Sequence, residues 1–297
     1  MKKNRIASFD GLRGIAVLCV VFHHCFAMLP GLDSHYPGQL FKYGWLGVDL
    51  FFIISGFVIS FTLYKYNDVK KFAIARFARL YPAYWAAIIF SAFLVFIAGD
   101  HLNLVEYAAN FLMFQDLLHF QNVSGVFWTL SFELTFYVFA ACIFYFGQFS
   151  KHKIFVAWLV FSFAWDMIYF LGYVPPHSMM TKIGYLFILA YTPLFIFGIY
   201  LHRAFSQGWS KSIVYMLLFS ALIFTAFLPG VIGNINQINP LLNVSIYRSF
   251  VILLFLLCAY ATYFPDNTYL SSKFLTFCGK ISYSWYLTHL MIAGFTF

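Results

Sequence analysis

The chain has 297 residues, of which 63% are hydrophobic and 9% are charged, and its formal net charge is +8. Soluble globular domains carry roughly 25% charged residues, so this composition excludes an ordinary soluble protein and indicates an all-α, polytopic transmembrane helical bundle. The length suits about nine helices of about 20 residues with short connections. We therefore expect a single integral-membrane domain over residues 1–297.

Windows of about 19 residues predict nine membrane helices. They cover residues 14–29, 45–64, 80–99, 126–146, 154–171, 183–201, 213–228, 246–264 and 281–297. The stretch 102–120 is semi-polar and is expected at the outer surface, as an interfacial helix or a re-entrant segment. The ninth segment runs to the last residue without a polar tail, which leaves two counts open: nine helices, or ten with the last one missing.

The basic residues alternate between the two sides of the predicted bundle. Of the 18 Lys and Arg, all but three fall at the N-terminus or in loops after even-numbered helices, the exceptions being Lys42, Lys182 and Arg248. This positive-inside bias predicts a multi-pass protein of the inner (plasma) membrane with a cytoplasmic N-terminus. The same bias accounts for the positive net charge, so we expect no nucleic-acid partner. The opening MKKNR could begin a signal peptide, but no small-residue cleavage site follows, so we expect a retained helix.

Two polar residues interrupt the first predicted helix, Arg13 and His24. Eleven residues make three helical turns, so both side chains fall on one face, roughly 16 Å apart along the axis. Intramembrane ionisable groups are expensive and suggest function. A lone membrane histidine more often bonds a neighbouring helix, but Arg13 on its face and Glu133, roughly level with it some 10 Å below the outer surface, favour catalysis. His24 would be the general base and Glu133 the carboxylate that orients it.

Further ionisable residues fall in the same outer half of the membrane. Asp49 and Asp166 are expected at a similar depth, so that four helices could converge on one polar cavity. His23 points about 100° away from its neighbour His24 and is expected to contact another helix. His289 on the ninth helix has two open interpretations: it lines a substrate tunnel, or it makes a helix–helix hydrogen bond.

At the cytoplasmic side, Arg76 and Arg79 are one helical turn apart and offer a fork for phosphate. Ordinary positive-inside anchoring explains them about equally well. Arg13 enters the membrane at the same face and could join them around a polyanionic donor. Asp10 precedes Arg13 by one turn and could pair with it.

Small residues and thiols complete the pattern within the apolar segments. Three glycines in or beside the second helix are expected to allow close helix packing: Gly44, Gly47 and Gly56. The five cysteines show no metal-ligand spacing, so we read them as free thiols and expect no metal site.

Five sequence blocks, taken in order, resemble the signatures of the acyltransferase-3 family of integral-membrane acyltransferases. They are FDGLRGIAVLCVVFHHCF, GWLGVDLFFIISGFVIS, FARLYPAYW, FWTLSFE and GKISYSWYLTH. The resemblance implies transfer of an acyl group, commonly acetyl, from an acyl-CoA donor substrate to a hydroxyl of a carbohydrate such as a polysaccharide, lipopolysaccharide, peptidoglycan or glycoside. It implies no permanently bound cofactor, and about ten helices in a membrane-lipid environment.

By the same resemblance, Arg13 and His24 are needed for activity, and Glu133, Arg76 and Arg79 match the family's other polar positions. The donor phosphates would lie near the arginines, with Asp10 and His289 as further donor-binding residues. Two alternatives of other classes remain from the sequence: a secondary transporter or flippase for a glycan or anion, whose ion pathway would use the same charges, and a non-catalytic partner of glycan enzymes.

Overall fold

The computed structural model describes residues 6–28, 36–118, 120–174, 179–236 and 243–293. Within these ranges every regular element is helical, as the all-α prediction required. The first part of the chain contains α1 (Ala7–Phe22), a π-helical segment (His23–Ala27), α2 (Tyr36–Phe41), α3 (Leu46–Tyr66), α4 (Val69–Ala98), α5 (Leu104–Asn110), α6 (Trp128–Tyr145) and α7 (His152–Phe170). The second part contains α8 (Met179–Leu186), a 3-10 turn (Leu189–Tyr191), α9 (Thr192–Gln207), α10 (Lys211–Asn236), α11 (Val244–Tyr263) and α12 (Lys273–Ile292).

Six of the described helices are long and apolar enough to cross a membrane. They are α1 with its π segment, α3, α4, α6, α7 and α11. This is fewer than the nine to ten helices expected from the sequence. The difference has a physical reason, because α9 has 16 residues and the first half of α12 carries Lys273 and Lys280.

The sixth predicted helix, 183–201, is broken into three pieces. It comprises the end of α8, the 3-10 turn and the first part of α9. Ile188 adopts a left-handed conformation with φ 50° between them. Pro193 stands in the first turn of α9, where its missing N–H leaves no hydrogen bond unmade. The apolar composition of the stretch concealed this break.

The third predicted helix, 80–99, begins earlier than expected. Its counterpart α4 has 30 residues and starts at Val69. Asp68 caps the helix by accepting hydrogen bonds from the backbone amides of Lys70 and Lys71. The amide of Lys71 is the main cause of the lowered pKa of Asp68. This early start carries Arg76 and Arg79 inside a regular helix, one turn apart on one face.

The described residues of the semi-polar stretch 102–120 form the short helix α5 followed by turns, outside the spanning helices. Its polar side chains bond one another: Gln115 donates to Asn122 at 2.6 Å, and Asn122 donates to Asp116 at 2.7 Å. Ser131 of α6 donates to the other oxygen of Asp116 at 2.8 Å. Paired in this way, the side chains can be covered by α4 and α6 without unmade hydrogen bonds.

Helix α1 packs most closely against α12 and then against α3. A Cβ atom on Gly14 would collide with the backbone carbonyl of Leu275, and one on Gly279 would collide with the carbonyl of Asp10. The two backbones therefore touch, which only glycine allows. The glycines expected to serve packing do so as well: Gly44, Gly47 and Gly56 lie against the carbonyls of Cys19, Ala16 and Phe195, respectively.

Replacing Gly14 or Gly279 by Val should force α1 and α12 apart and destabilise the bundle by about 1–3 kcal/mol, as overpacking does in other cores. The measurement is the midpoint of thermal unfolding of the purified protein in detergent. Ala86→Val is the matched control, since Ala86 is exposed on α4. An unchanged midpoint in both glycine variants would contradict the close contact.

Candidate active site

Basic side chains surround a cavity of about 450 Å³ at one end of the bundle. We call it the basic cavity; its charged lining consists of Asp10, Arg13, Lys65, Arg76, Arg79 and Lys280, from helices α1, α3, α4 and α12. Five cations face a single carboxylate. Such an excess of fixed positive charge attracts a polyanion and repels cations. The Nε atom of Arg76 is buried and has no hydrogen-bond partner in the described part of the chain.

A second, narrower cavity of about 60 Å³ adjoins the first. This inner cavity is lined by Arg13 and Arg79, which also line the basic cavity, and so the two spaces adjoin at these two residues. Its other walls include aromatic side chains from α3 and α12: Phe51, Phe52, Tyr283 and Tyr286. Because one water needs about 10–15 Å³ of such space, the inner cavity holds only a few waters.

Glu133 of α6 lies in the wall of the inner cavity. One of its carboxylate oxygens accepts hydrogen bonds from Ser55 of α3, at 2.5 Å, and from the buried hydroxyl of Tyr137. Its charge also acts on the Arg13 guanidinium, together with the charges of Arg79 and Asp10. Glu133 thus shares the wall of the inner cavity with Arg13 and Arg79, while Ser55 and Tyr137 hold its carboxylate.

His24 lies in the π-helical segment that ends α1, next to His289 of α12. Nδ1 of His24 is 3.2 Å from Nε2 of His289, and the ring centroids are 4.9 Å apart. His289 is only 3% exposed. Its ring also packs against Tyr286, a wall residue of the inner cavity, with centroids 5.8 Å apart. The histidine pair therefore lies just beyond the inner cavity, on the side away from the basic cavity.

The predicted contact between Glu133 and His24 is not formed among the hydrogen bonds of the described residues. Glu133 bonds Ser55 and Tyr137, whereas His24 bonds the carbonyl of Val20 and His289. The sequence predicted a similar membrane depth for Glu133 and His24, but depth does not determine which way each side chain points.

The predicted convergence of four helices on one polar cavity is also wrong. Asp49 is buried and accepts a hydrogen bond from Tyr247 of α11 at 3.1 Å. Asp166 lies on α7 and lines neither the basic nor the inner cavity. His23 turns away from His24 and donates from Nδ1 to the carbonyl of Phe41 in α2, at 3.0 Å.

Four residues of the site were missed from the sequence: Ser55, Lys65, Tyr137 and Lys280. Tyr137 carried a usable signal, since it follows Glu133 by four residues and so shares its helix face. Lys65 and Lys280 resembled ordinary positive-inside residues. Ser55 stood among the small residues of the second helix, where packing was the default reading.

A bundle of apolar helices with a basic cavity, a narrow inner cavity beside it and a histidine pair behind the wall of that inner cavity suits an integral-membrane acyltransferase. The chain belongs to the acyltransferase-3 family, because the family's model, described as an acyltransferase domain, matches residues 6–297. It is therefore an O-acyltransferase, as the names of its relatives also indicate.

Two relatives show how far the similarity extends. "Putative acetyltransferase ORF330" of Acidianus two-tailed virus is 28% identical over 98% of this chain and 84% of its own length. Peptidoglycan O-acetyltransferase OatA of Listeria monocytogenes is 30% identical over 45% of this chain, and the match spans 23% of OatA. No solved structure matches the chain.

Replacing Tyr137 by Phe should remove one of the two hydroxyl donors to Glu133 and destabilise the fold by about 1–3 kcal/mol. Tyr145→Phe is the control, because Tyr145 is 74% exposed. Thermal unfolding in detergent measures both variants. Equal midpoints for the two would show that the bond to Glu133 contributes little.

Proposed function

We propose that this O-acyltransferase transfers an acetyl group from acetyl-CoA to a hydroxyl of a carbohydrate. The observation that carries the proposal is the adjacency of the parts of the site: Arg13 and Arg79 line both the basic cavity and the inner cavity, and the wall residue Tyr286 packs against His289, which contacts His24. This adjacency supports a path for a long donor with a charged head and a thin arm.

The charge of the basic cavity supports binding of the coenzyme head. Coenzyme A carries a diphosphate and a 3′-phosphate, and guanidinium groups bind phosphate oxygens in pairs. Arg76 and Arg79 stand one helical turn apart on α4, and Lys65 and Lys280 face them from α3 and α12. The head stays in the basic cavity, since the inner cavity is too small for a nucleotide.

The length of α1 matches the reach of the donor. His24 lies eleven residues beyond Arg13, which is roughly 16 Å along a helix and comparable to an extended pantetheine arm. The arm follows the aromatic wall of the inner cavity towards Tyr286. Its thioester then reaches the level of the histidine pair.

His24 acts on the hydroxyl of the acceptor. Its Nε2 takes the hydroxyl proton as the oxygen bonds to the thioester carbonyl carbon. The carbon–sulfur bond breaks, and the thiolate of coenzyme A receives the proton from the imidazolium. The products are an O-acetyl ester and free coenzyme A. Glu133, held by Ser55 and Tyr137, places a carboxylate beside Arg13 in the wall of the inner cavity and helps to balance the charge of that guanidinium.

The nature of the acceptor is supported by a relative, since OatA is named for the O-acetylation of peptidoglycan. A carbohydrate approaching from the outer side would meet His24 at the far end of the path, if the N-terminus is cytoplasmic as the basic residues indicate. Under this orientation the acetyl group crosses the bilayer and the coenzyme does not.

Replacing His24 by Ala should lower acetyl transfer by about 100-fold or more, because general-base catalysis is lost. The assay follows radiolabel from acetyl-CoA to a peptidoglycan or polysaccharide acceptor with the purified protein in lipid vesicles. His23→Ala is the matched control, since the neighbouring ring faces α2. Full activity in His24→Ala would remove the proposed base, and accumulation of glycan in vesicles without donor would favour transport.

Replacing Arg76 and Arg79 by Gln should each raise KM for acetyl-CoA about tenfold with a smaller change in kcat, because one charge-assisted phosphate contact is lost. The increase should shrink at high salt, which weakens the wild-type contact. Lys211→Gln, an exposed basic residue that lines neither cavity, serves as the charge control. An equal rise of KM in Lys211→Gln would mean that net charge alone attracts the donor.

A further inference from the structure

His289 contacts the proposed base but lines neither the basic cavity nor the inner cavity. From its contacts we infer that His289 is a positioning residue, which holds the proton and the orientation of His24 through the Nδ1 atom of that ring. The inference rests on the proposed function insofar as His24 is the base. It replaces the direct donor-binding role that the sequence suggested for His289.

The hydrogen positions of the pair follow from the backbone carbonyls that the rings face. Nδ1 of His289 lies 2.8 Å from the carbonyl oxygen of Tyr286. A carbonyl oxygen only accepts hydrogen bonds, so this nitrogen carries the hydrogen. In the neutral ring, Nε2 of His289 is consequently an acceptor with a lone pair.

The same reasoning sets the tautomer of His24. Its Nδ1 lies 2.9 Å from the carbonyl oxygen of Val20 and 3.2 Å from Nε2 of His289. Both partners are acceptors, so the hydrogen is on Nδ1 of His24 and is shared between them. Nε2 of His24 therefore carries the lone pair, and it makes no hydrogen bond with the described part of the protein.

His24 and His289 are connected as a catalytic base and its orienting partner are. The orienting partner here is an imidazole, whereas in Ser-His-Asp triads it is a carboxylate. When His24 takes a proton at Nε2, its Nδ1–H bond to His289 becomes charge-assisted and stronger. His289 can remain neutral throughout, because Tyr286 fixes its own hydrogen. A neutral partner also avoids placing an unpaired carboxylate deep in the membrane.

The polar groups near the His24–His289 pair form their hydrogen bonds with other partners. The His23 ring lies 5.3 Å from that of His24, but its Nδ1 bonds Phe41. The Tyr286 hydroxyl donates to the carbonyl of Val126. Glu133 bonds Ser55 and Tyr137. The glycine contacts between α1 and α12 fix the separation of the two helices that carry the rings.

Two amide substitutions separate the two hydrogen bonds of His289. In His289→Gln, the longer amide places an oxygen near the position of Nε2 and keeps an acceptor for His24. In His289→Asn, the shorter amide keeps a donor for the carbonyl of Tyr286 and leaves no acceptor near His24. Both variants are polar and similar in size, so the comparison does not depend on burying an apolar group.

The first readout is acetyl transfer from acetyl-CoA. His289→Asn should lower kcat about tenfold, the effect of one lost hydrogen bond to a charged group, with KM for the donor unchanged. His289→Gln should recover most of the rate. Equal loss in both variants would overturn the inference, as would a raised KM with unchanged kcat, which would indicate donor binding instead.

The second readout needs neither donor nor acceptor. Diethyl pyrocarbonate acylates an unprotonated imidazole nitrogen, and peptide mass spectrometry measures the rate of modification at His24. We expect wild type and His289→Gln to react alike and His289→Asn to react about threefold more slowly, because its His24 nitrogen is less nucleophilic. Equal rates in all three proteins would refute the positioning role. This result is independent of whether acetyl-CoA is the donor, so failure of the proposed function and failure of this inference are distinguishable.

Discussion

The direct backbone contact between α1 and α12 is the constraint on which the site depends. Gly14 and Gly279 allow it, because any larger residue would place a Cβ atom inside the opposite backbone. At one end of this contact, Arg13 and Lys280 face the basic cavity. At the other end, His24 meets His289. Two chemically different regions are therefore aligned by a single pair of helices.

The charges of the site are balanced only in part, and this imbalance has a function in the proposed reaction. Glu133 and Asp10 act on Arg13, but the basic cavity keeps an excess of cations. Repulsion among these like charges raises the free energy of the empty site. A bound polyanion neutralises them and relieves this repulsion. The wide cavity has room for water around its charges, whereas in the narrow inner cavity one oxygen of the Glu133 carboxylate accepts hydrogen bonds from Ser55 and Tyr137.

Sequence reasoning succeeded for the all-helical class of the fold and for the packing glycines Gly44, Gly47 and Gly56. It placed Arg13 and His24 along one helix, and the structure has Arg13 at the cavities and His24 in the π-helical segment that follows α1. It failed where rotation about a helix axis decides, as for Glu133 and Asp49, because depth in the membrane does not reveal which neighbour a side chain faces. It also missed the break before Pro193, since an apolar stretch hides a change of backbone conformation. The tautomers of the histidine pair depend on carbonyls that turn towards the rings only in the folded chain.

The small volume of the inner cavity has a consequence for the membrane itself. A protein that exchanges a chemical group between two compartments risks becoming a leak for protons and salt, which would dissipate the electrochemical gradient. A space of about 60 Å³ walled by aromatic rings holds only a short file of water and no hydrated ion. In the proposed reaction, an inner cavity of this size would admit the thin arm of the donor and exclude hydrated ions, and so would preserve the insulation on which the energy supply of the cell depends.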